Sequence, residues 1–113
     1  MKFTLPMPPS INETYRVHGN YTYKTKIARD WEVEAGWAMK SIYREKHDSE
    51  ADMAITLDFY FKRDRDIDSG IKILLDFLQT QIYKNDRQVK KLQVTKNKDS
   101  EKPRVEIEIE VLK

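Results

Sequence analysis

Apolar and polar residues alternate most cleanly over residues 104–112, where Val105, Ile107, Ile109 and Val111 face one way and Glu106, Glu108 and Glu110 the other. That two-residue period predicts a strand with one face buried. The same period runs through 53–62: Met53, Ile55, Leu57, Phe59 and Phe61 alternate with Ala54, Thr56, Asp58, Tyr60 and Lys62. Residues 2–5 and 88–96 predict two further extended segments. Between them, Pro6, Pro8 and Pro9 exclude regular structure, because proline fixes φ and lacks a donor. Residues 14–17 and 21–24 predict short β segments about the turn His18-Gly19-Asn20. The period becomes helical over 25–46, where Ile27, Trp31, Ala35, Ala38 and Ile42 share one narrow arc. A second helix, predicted at 69–81 with Asp68 as its N-cap, buries Ile71, Leu74, Leu75 and Leu78. This order predicts an α+β domain (two-layer α/β), a mixed β-sheet with two helices packed on one face.

At 113 residues, 39% hydrophobic and 35% charged, the chain suits one soluble folded domain over residues 1–113 rather than a disordered segment. It contains no cysteine. That excludes disulfides, zinc thiolates and cysteine nucleophiles, and agrees with a reducing compartment. No signal peptide or membrane-spanning apolar run is evident, so the expected location is the cytoplasm. The net charge of +2 is too small to mark a partner; any signal for a polyanion must lie in how the charges are distributed.

That distribution is uneven. Residues 51–100 contain no glutamate, and their lysines and arginines crowd around Asp66, Asp68 and Asp86 in the runs Lys62-Arg63-Asp64-Arg65-Asp66-Ile67-Asp68 and Tyr83-Lys84-Asn85-Asp86-Arg87-Gln88. In an extended segment Asp66 and Asp68 point to the same side, close enough to share an ion. Asp68, Lys72 and Asp76, at i, i+4 and i+8, form a polar row of roughly 80° beside the apolar stripe. Asp86 follows the helix, where the chain is able to return toward the helix start. Mg²⁺ takes oxygen ligands and keeps several waters, so two or three carboxylates suffice to hold it, and a bound ion activates water and neutralises phosphate charge. Lys72 suits the developing charge on a phosphate, and Arg63, Arg65, Lys84 and Arg87 suit the phosphates either side. A purely structural alternative stands beside this: aspartate is a common cap and turn residue, and Asp68–Lys72–Asp76 also reads as a surface ion-pair row.

Other residues carry less. Ser10, Asn12 and Arg16 either approach the phosphates of a polyanion or belong to a rigid loop. His18 and His47 lack metal-ligand spacing and read as solvated. Trp31 shares the core stripe; Trp37 lies on the opposite helix face, exposed and available to a dimer contact. Lys90, Lys91, Lys96 and Lys98 read as edge protection or, with the acids near, as a surface for a phosphate backbone.

Three segments resemble the RusA family of Holliday junction resolvases, common in phages and prophages. Leu5-Pro6-Met7-Pro8-Pro9-Ser10-Ile11-Asn12 is similar to its N-terminal Leu-Pro-x-Pro-Pro-Ser-x-Asn. Arg65-Asp66-Ile67-Asp68-Ser69 with Lys72 and Asp76 is similar to Arg-Asp-x-Asp-Asn-x-x-Lys-x-x-x-Asp. Asn85-Asp86-Arg87-Gln88-Val89 is similar to Asp-Asp-x-Gln-Val. The three occur in the family's order and cover most of the chain. The resemblance implies a homodimeric, Mg²⁺-dependent endonuclease, with Mn²⁺ able to substitute and no other cofactor, that cuts four-way DNA junctions by paired symmetric nicks. It implies Asp66, Asp68 and Asp86 as metal carboxylates, Lys72 as the catalytic lysine and Asp76 in support. Two departures stand out: Ser69 replaces an asparagine but keeps a hydroxyl, and Asn85 replaces an aspartate and loses a charge. Asn85 sustains an alternative, a branched-DNA-binding protein without nuclease activity. A nuclease for other branched or single-stranded substrates is a third reading.

Overall fold

The structure, a computed structural model, describes residues 1–42 and 50–112. Its elements run β1 (Lys2–Pro6), α1 (Ile11–Thr14), β2 (Tyr15–His18), β3 (Tyr21–Lys24), α2 (Lys26–Lys40), β4 (Met53–Phe61), α3 (Ile71–Gln81), a 3₁₀ turn (Asp86–Gln88), β5 (Val89–Lys98) and β6 (Arg104–Val111). The main sheet has the order β1-β6-β4-β5. β6 pairs antiparallel with both β1 and β4, whereas β4 and β5 run parallel. The sheet is mixed, as the order of elements predicts.

The parallel pair is the consequential one. Parallel neighbours need a crossover connection, here α3, and the chain leaves the carboxyl end of β4 to start that helix. In open α/β sheets such strand-to-helix junctions are where ligands bind.

One face of the sheet carries the core. Every odd residue of β4 from Met53 to Phe61 is buried, joined by Phe3 and Leu5 of β1 and Val105, Ile107 and Ile109 of β6. Both long helices cover this face. α3 contributes Ile73, Leu74 and Leu78, and full burial of a leucine side chain is worth about 1.5–3 kcal/mol. α2 contributes Ala28, Trp31, Ala35 and Met39. Trp31 donates its Nε1 hydrogen to the Pro6 carbonyl at 2.9 Å and meets the Phe77 ring edge-on at 5.2 Å, locking α2 to β1 and to α3. These contacts set the rotation of α2, which differs from the expected arc: Ile27 is 54% exposed, and Ala28 and Met39 point inward. The expected end of this helix at 46, and His47, lie outside the described residues.

β5 is one of the two edge strands of the sheet, so Lys90, Lys91, Lys96 and Lys98 lie on an edge strand. No helix among the described residues is long and apolar enough to cross a membrane.

Candidate active site

The junction between β4 and α3 is built by turns. After Phe61 the chain runs out to Asp66, whose carbonyl accepts from the Ser69 amide at 3.0 Å; the Asp68 carbonyl then accepts from Ile71 N at 3.3 Å. Asp68 is not the N-cap that the sequence predicts. Gly70 holds that position, no side chain caps α3, and the helix begins at Ile71. Asp66 and Asp68 therefore sit, exposed, in the turn leading into the positive end of the helix dipole, a favourable place for negative charge.

α3 supplies the next side chains at helical spacing. Lys72 and Asp76 pair at 3.5 Å on the outer side of the helix, above Ile71 and Leu75. Beyond Gln81 the chain folds back, burying Ile82 and Tyr83, so Asp86 returns beside α3. The Tyr83 hydroxyl, 3% exposed as a residue, lies 3.2 Å from both the Leu75 carbonyl and Asp86 Oδ1 and has one proton to donate between them. Burial raises the Tyr83 pKa, and the neighbouring Asp86 charge adds to the shift. The Gln79 amide, turned so that its nitrogen faces Asp86, donates to both carboxylate oxygens at 3.1 and 3.3 Å. Gln88 fixes the turn itself: its Oε1 accepts from the Lys84 and Asn85 amides at 3.0 Å, and its Nε2 donates to the Ala51 carbonyl at 2.8 Å. Asn85 caps the 3₁₀ turn through Oδ1, which accepts from Arg87 N at 2.9 Å. The asparagine oxygen thus serves the backbone, a role open to aspartate or asparagine alike.

The proline loop closes the opposite wall. Ser10 and Glu13 form a capping box on α1, and Ile11 N donates to the Ser69 carbonyl at 3.0 Å. Arg65 braces this contact. Its Nη1 donates to Pro8 O and its Nε to Ser69 Oγ, both at 3.1 Å, and its guanidinium lies 4.9 Å from the Phe61 ring centre. Burial lowers the Arg65 pKa, opposed by Glu13. Gly70 sits beneath the same loop: a Cβ there falls 2.9 Å from Pro8 Cγ. Gly70→Ala is therefore expected to destabilise the fold by about 1–3 kcal/mol through overpacking, read as a lowered denaturant midpoint at unchanged slope.

These pieces line one cleft of about 630 Å³, which brings together Asn12, Asp66, Asp68, Ser69, Lys72, Asp76 and Asp86. Asp66, Asp68 and Asp86 carry oxygen donors of the kind a hard cation takes. In the conformation seen, and among the described residues, no three acidic or histidine side chains meet at a common point. Asp76 turns to Lys72 and Asp86 is held by Tyr83 and Gln79. Lys72 apart, the cations expected at the site are not on the cleft wall. Arg63 and Arg87 are exposed on flanking turns; Lys84 pairs with Glu50 at 2.8 Å; Arg16 donates to the Asn12 carbonyl; Arg65 points inward. Sequence reasoning missed Gln79 and Tyr83. Gln79 stands one turn beyond Asp76 on the same helix, a signal in hindsight; Tyr83 reaches Asp86 only because the chain reverses, and nothing local announces that.

Two comparisons with known proteins bear on this site. A family model described as "Endodeoxyribonuclease RusA" matches residues 6–110. The chain is 31% identical over 107 residues to the Crossover junction endodeoxyribonuclease RusA of Aquifex aeolicus (strain VF5), covering 93% of this chain and 84% of that protein.

Proposed function

The chain belongs to the RusA family of endodeoxyribonucleases, and from that premise we propose that it is a Mg²⁺-dependent, structure-selective endonuclease that resolves four-way (Holliday) DNA junctions by paired symmetric nicks, in recombination and repair. The observation that carries this reading is one cleft lined by Asp66, Asp68 and Asp86 together with Lys72 and Asp76.

The donor set fits a hard divalent ion. Asp66 and Asp68 are exposed carboxylates on the cleft wall, and Asp86 is held by Tyr83 and Gln79. Mg²⁺, or Mn²⁺ in its place, supplies an activated water and neutralises phosphate charge when bound. The chain's own residues do the rest. Lys72 presents an ammonium to the charge that develops on the phosphate, and Asp76 keeps that ammonium over the cleft through their 3.5 Å pair. Asn12 and Ser69 contact the DNA backbone at the cleft wall; Arg63, Lys84, Arg87 and Arg16 meet neighbouring phosphates around it. Arg65 braces the wall. A C₂ homodimer presents two equivalent sites to the equivalent strands of a four-way junction. The working compartment is the cytoplasm, in keeping with a chain without cysteine.

The test is incubation with a synthetic four-way junction in Mg²⁺. Paired nicks at symmetric positions are expected, with linear duplex of the same sequence left intact; an uncut junction defeats the proposal. One observation favours a second reading, a branched-DNA-binding protein without nuclease activity: the acids line the cleft without converging. It predicts junction binding that weakens steeply with salt and no nicks in Mg²⁺ or Mn²⁺.

A further inference from the structure

The β2–β3 hairpin has a composition and an exposure that the cleft does not account for. Residues 15–24 contain three tyrosines, Arg16, His18 and Lys24, and no carboxylate. They form a separate two-stranded ribbon outside the main sheet, and all ten are exposed. Its turn is tight, with Gly19 at φ 59°, where a side chain is disfavoured.

The register sorts these residues by face. Arg16 pairs with Tyr23 and His18 with Tyr21, whereas Tyr15 pairs with Lys24 and Val17 with Thr22. Directly opposed residues share a face, and alternate residues along a strand share it too. One face therefore consists of Arg16, His18, Tyr21 and Tyr23: two rings beside two basic groups. Tyr21 is 76% and Tyr23 50% exposed, a large apolar area left in water.

The root of the ribbon adjoins the cleft, and Arg16 ties this face to it. Asn12, on the cleft wall, lies three residues before the ribbon, and Arg16 donates to its carbonyl. The ribbon's root is tied to α1 where Thr25 N donates to the Thr14 carbonyl at 2.8 Å. Four residues of strand carry the tip about 13 Å from that root, a few base steps of a strand whose phosphate lies in the cleft.

We infer that the Arg16–His18–Tyr21–Tyr23 face is a stacking platform for unpaired or unstacked bases at the branch point of the DNA substrate. The inference rests on the branched-DNA reading of the cleft. Tyrosine rings stack on any base, and a cation beside them takes the adjoining phosphate, the pairing used where nucleic acid is bound without sequence preference. A second copy of the chain is a poorer occupant. Four side chains on a ribbon cover on the order of a few hundred Å², against about 800 Å² per partner in a stable protein interface, and the face offers basic groups but no acid with which an identical face pairs.

The experiment measures binding without cleavage. Fluorescence anisotropy in EDTA compares a four-way junction with a linear duplex of the same sequence, for wild type, Tyr21→Ala/Tyr23→Ala and Tyr21→Phe/Tyr23→Phe. Loss of two stacked bases is expected to weaken junction binding by at least about tenfold in the alanine variant, with duplex binding changed by less than about threefold. The phenylalanine variant, which keeps the rings, is expected to bind as wild type does. An equal loss on both DNAs, or no loss on the junction, overturns the inference. So does a fall in sedimentation mass of the alanine variant, which assigns the ribbon to contact between copies. Wild-type protein that binds junction and duplex equally overturns the junction reading itself, and the ribbon's role with it.

Discussion

Asp68→Asn protein is expected to bind a four-way junction at least as tightly as wild type and to cut it slower by at least about 10²–10³-fold, the scale on which loss of one electrostatic contact to a reacting centre acts. The two halves of this result have separate causes. Asparagine keeps the shape of the side chain but removes a negative charge from a cleft that faces phosphates, so binding improves or stays level. It also removes an anionic donor from the set proposed to hold Mg²⁺, so the chemistry fails. Stability is a clean control here. Asp68 does not cap α3, Gly70 occupying the N-cap, and its side chain is exposed. An exposed substitution away from caps and core usually moves stability by about 0.5 kcal/mol or less, and loss of the charge at the start of α3 costs at most about 1 kcal/mol. Single-turnover cleavage beside anisotropy binding and a denaturation curve reads all three. Undiminished cleavage removes Asp68 from the site; a large loss of stability gives Asp68 a structural role instead.

How far the chain discloses itself depends on whether a feature is written in local or distant contacts. The strands β4 and β6 are legible because each is half-buried, so selection for the core prints a two-residue period on both. Of their predicted inward residues all but Val111 are buried. The existence of α2 is legible, its rotation less so. Residues 28, 31, 35 and 39 have a helical period as good as the expected one, and what chooses between them is distant: the Trp31 bond to Pro6 and its contact with Phe77. The start of α3 differs from the expected one for a similar reason. Aspartate is the better cap by intrinsic preference, but Pro8 packs against Gly70 and leaves no room for a larger residue there. α1 and the 3₁₀ turn at Asp86 are too short to print a period at all. The site follows the same rule. Asp68, Lys72 and Asp76 are legible together because four-residue spacing places them on one side of a helix. Asp86 joins them through a chain reversal anchored by Gln88 on Ala51, a contact 37 residues distant.

Lys72→Met separates the two roles left open for the polar row on α3. If the row is only a surface ion-pair ladder, removing Lys72 costs the fold about 0.3–0.5 kcal/mol, the usual worth of an exposed i,i+4 pair, and changes cleavage little. Both partners are substantially exposed and 3.5 Å apart, so no larger structural effect is available from their pairing. If instead Lys72 meets the charge that develops on the phosphate, the loss appears in the rate. Cleavage is then expected to fall by about 10²–10³-fold, the cost of deleting one such donor, while the denaturant midpoint stays near that of wild type. Methionine suits the test because it keeps an unbranched stem along Ile71 and Leu75 and helix propensity close to that of lysine. Junction affinity provides the third reading: a cation that touches the phosphate in the ground state as well contributes to binding, and its removal then also lowers the salt slope by about one. A fall in rate with little change in affinity places the ammonium's work at the transition state. A fall in affinity that accounts for the whole loss of activity makes Lys72 a phosphate anchor. Unchanged cleavage leaves the pair with Asp76 as surface structure and returns the search for the stabilising cation to Lys84 and Arg87.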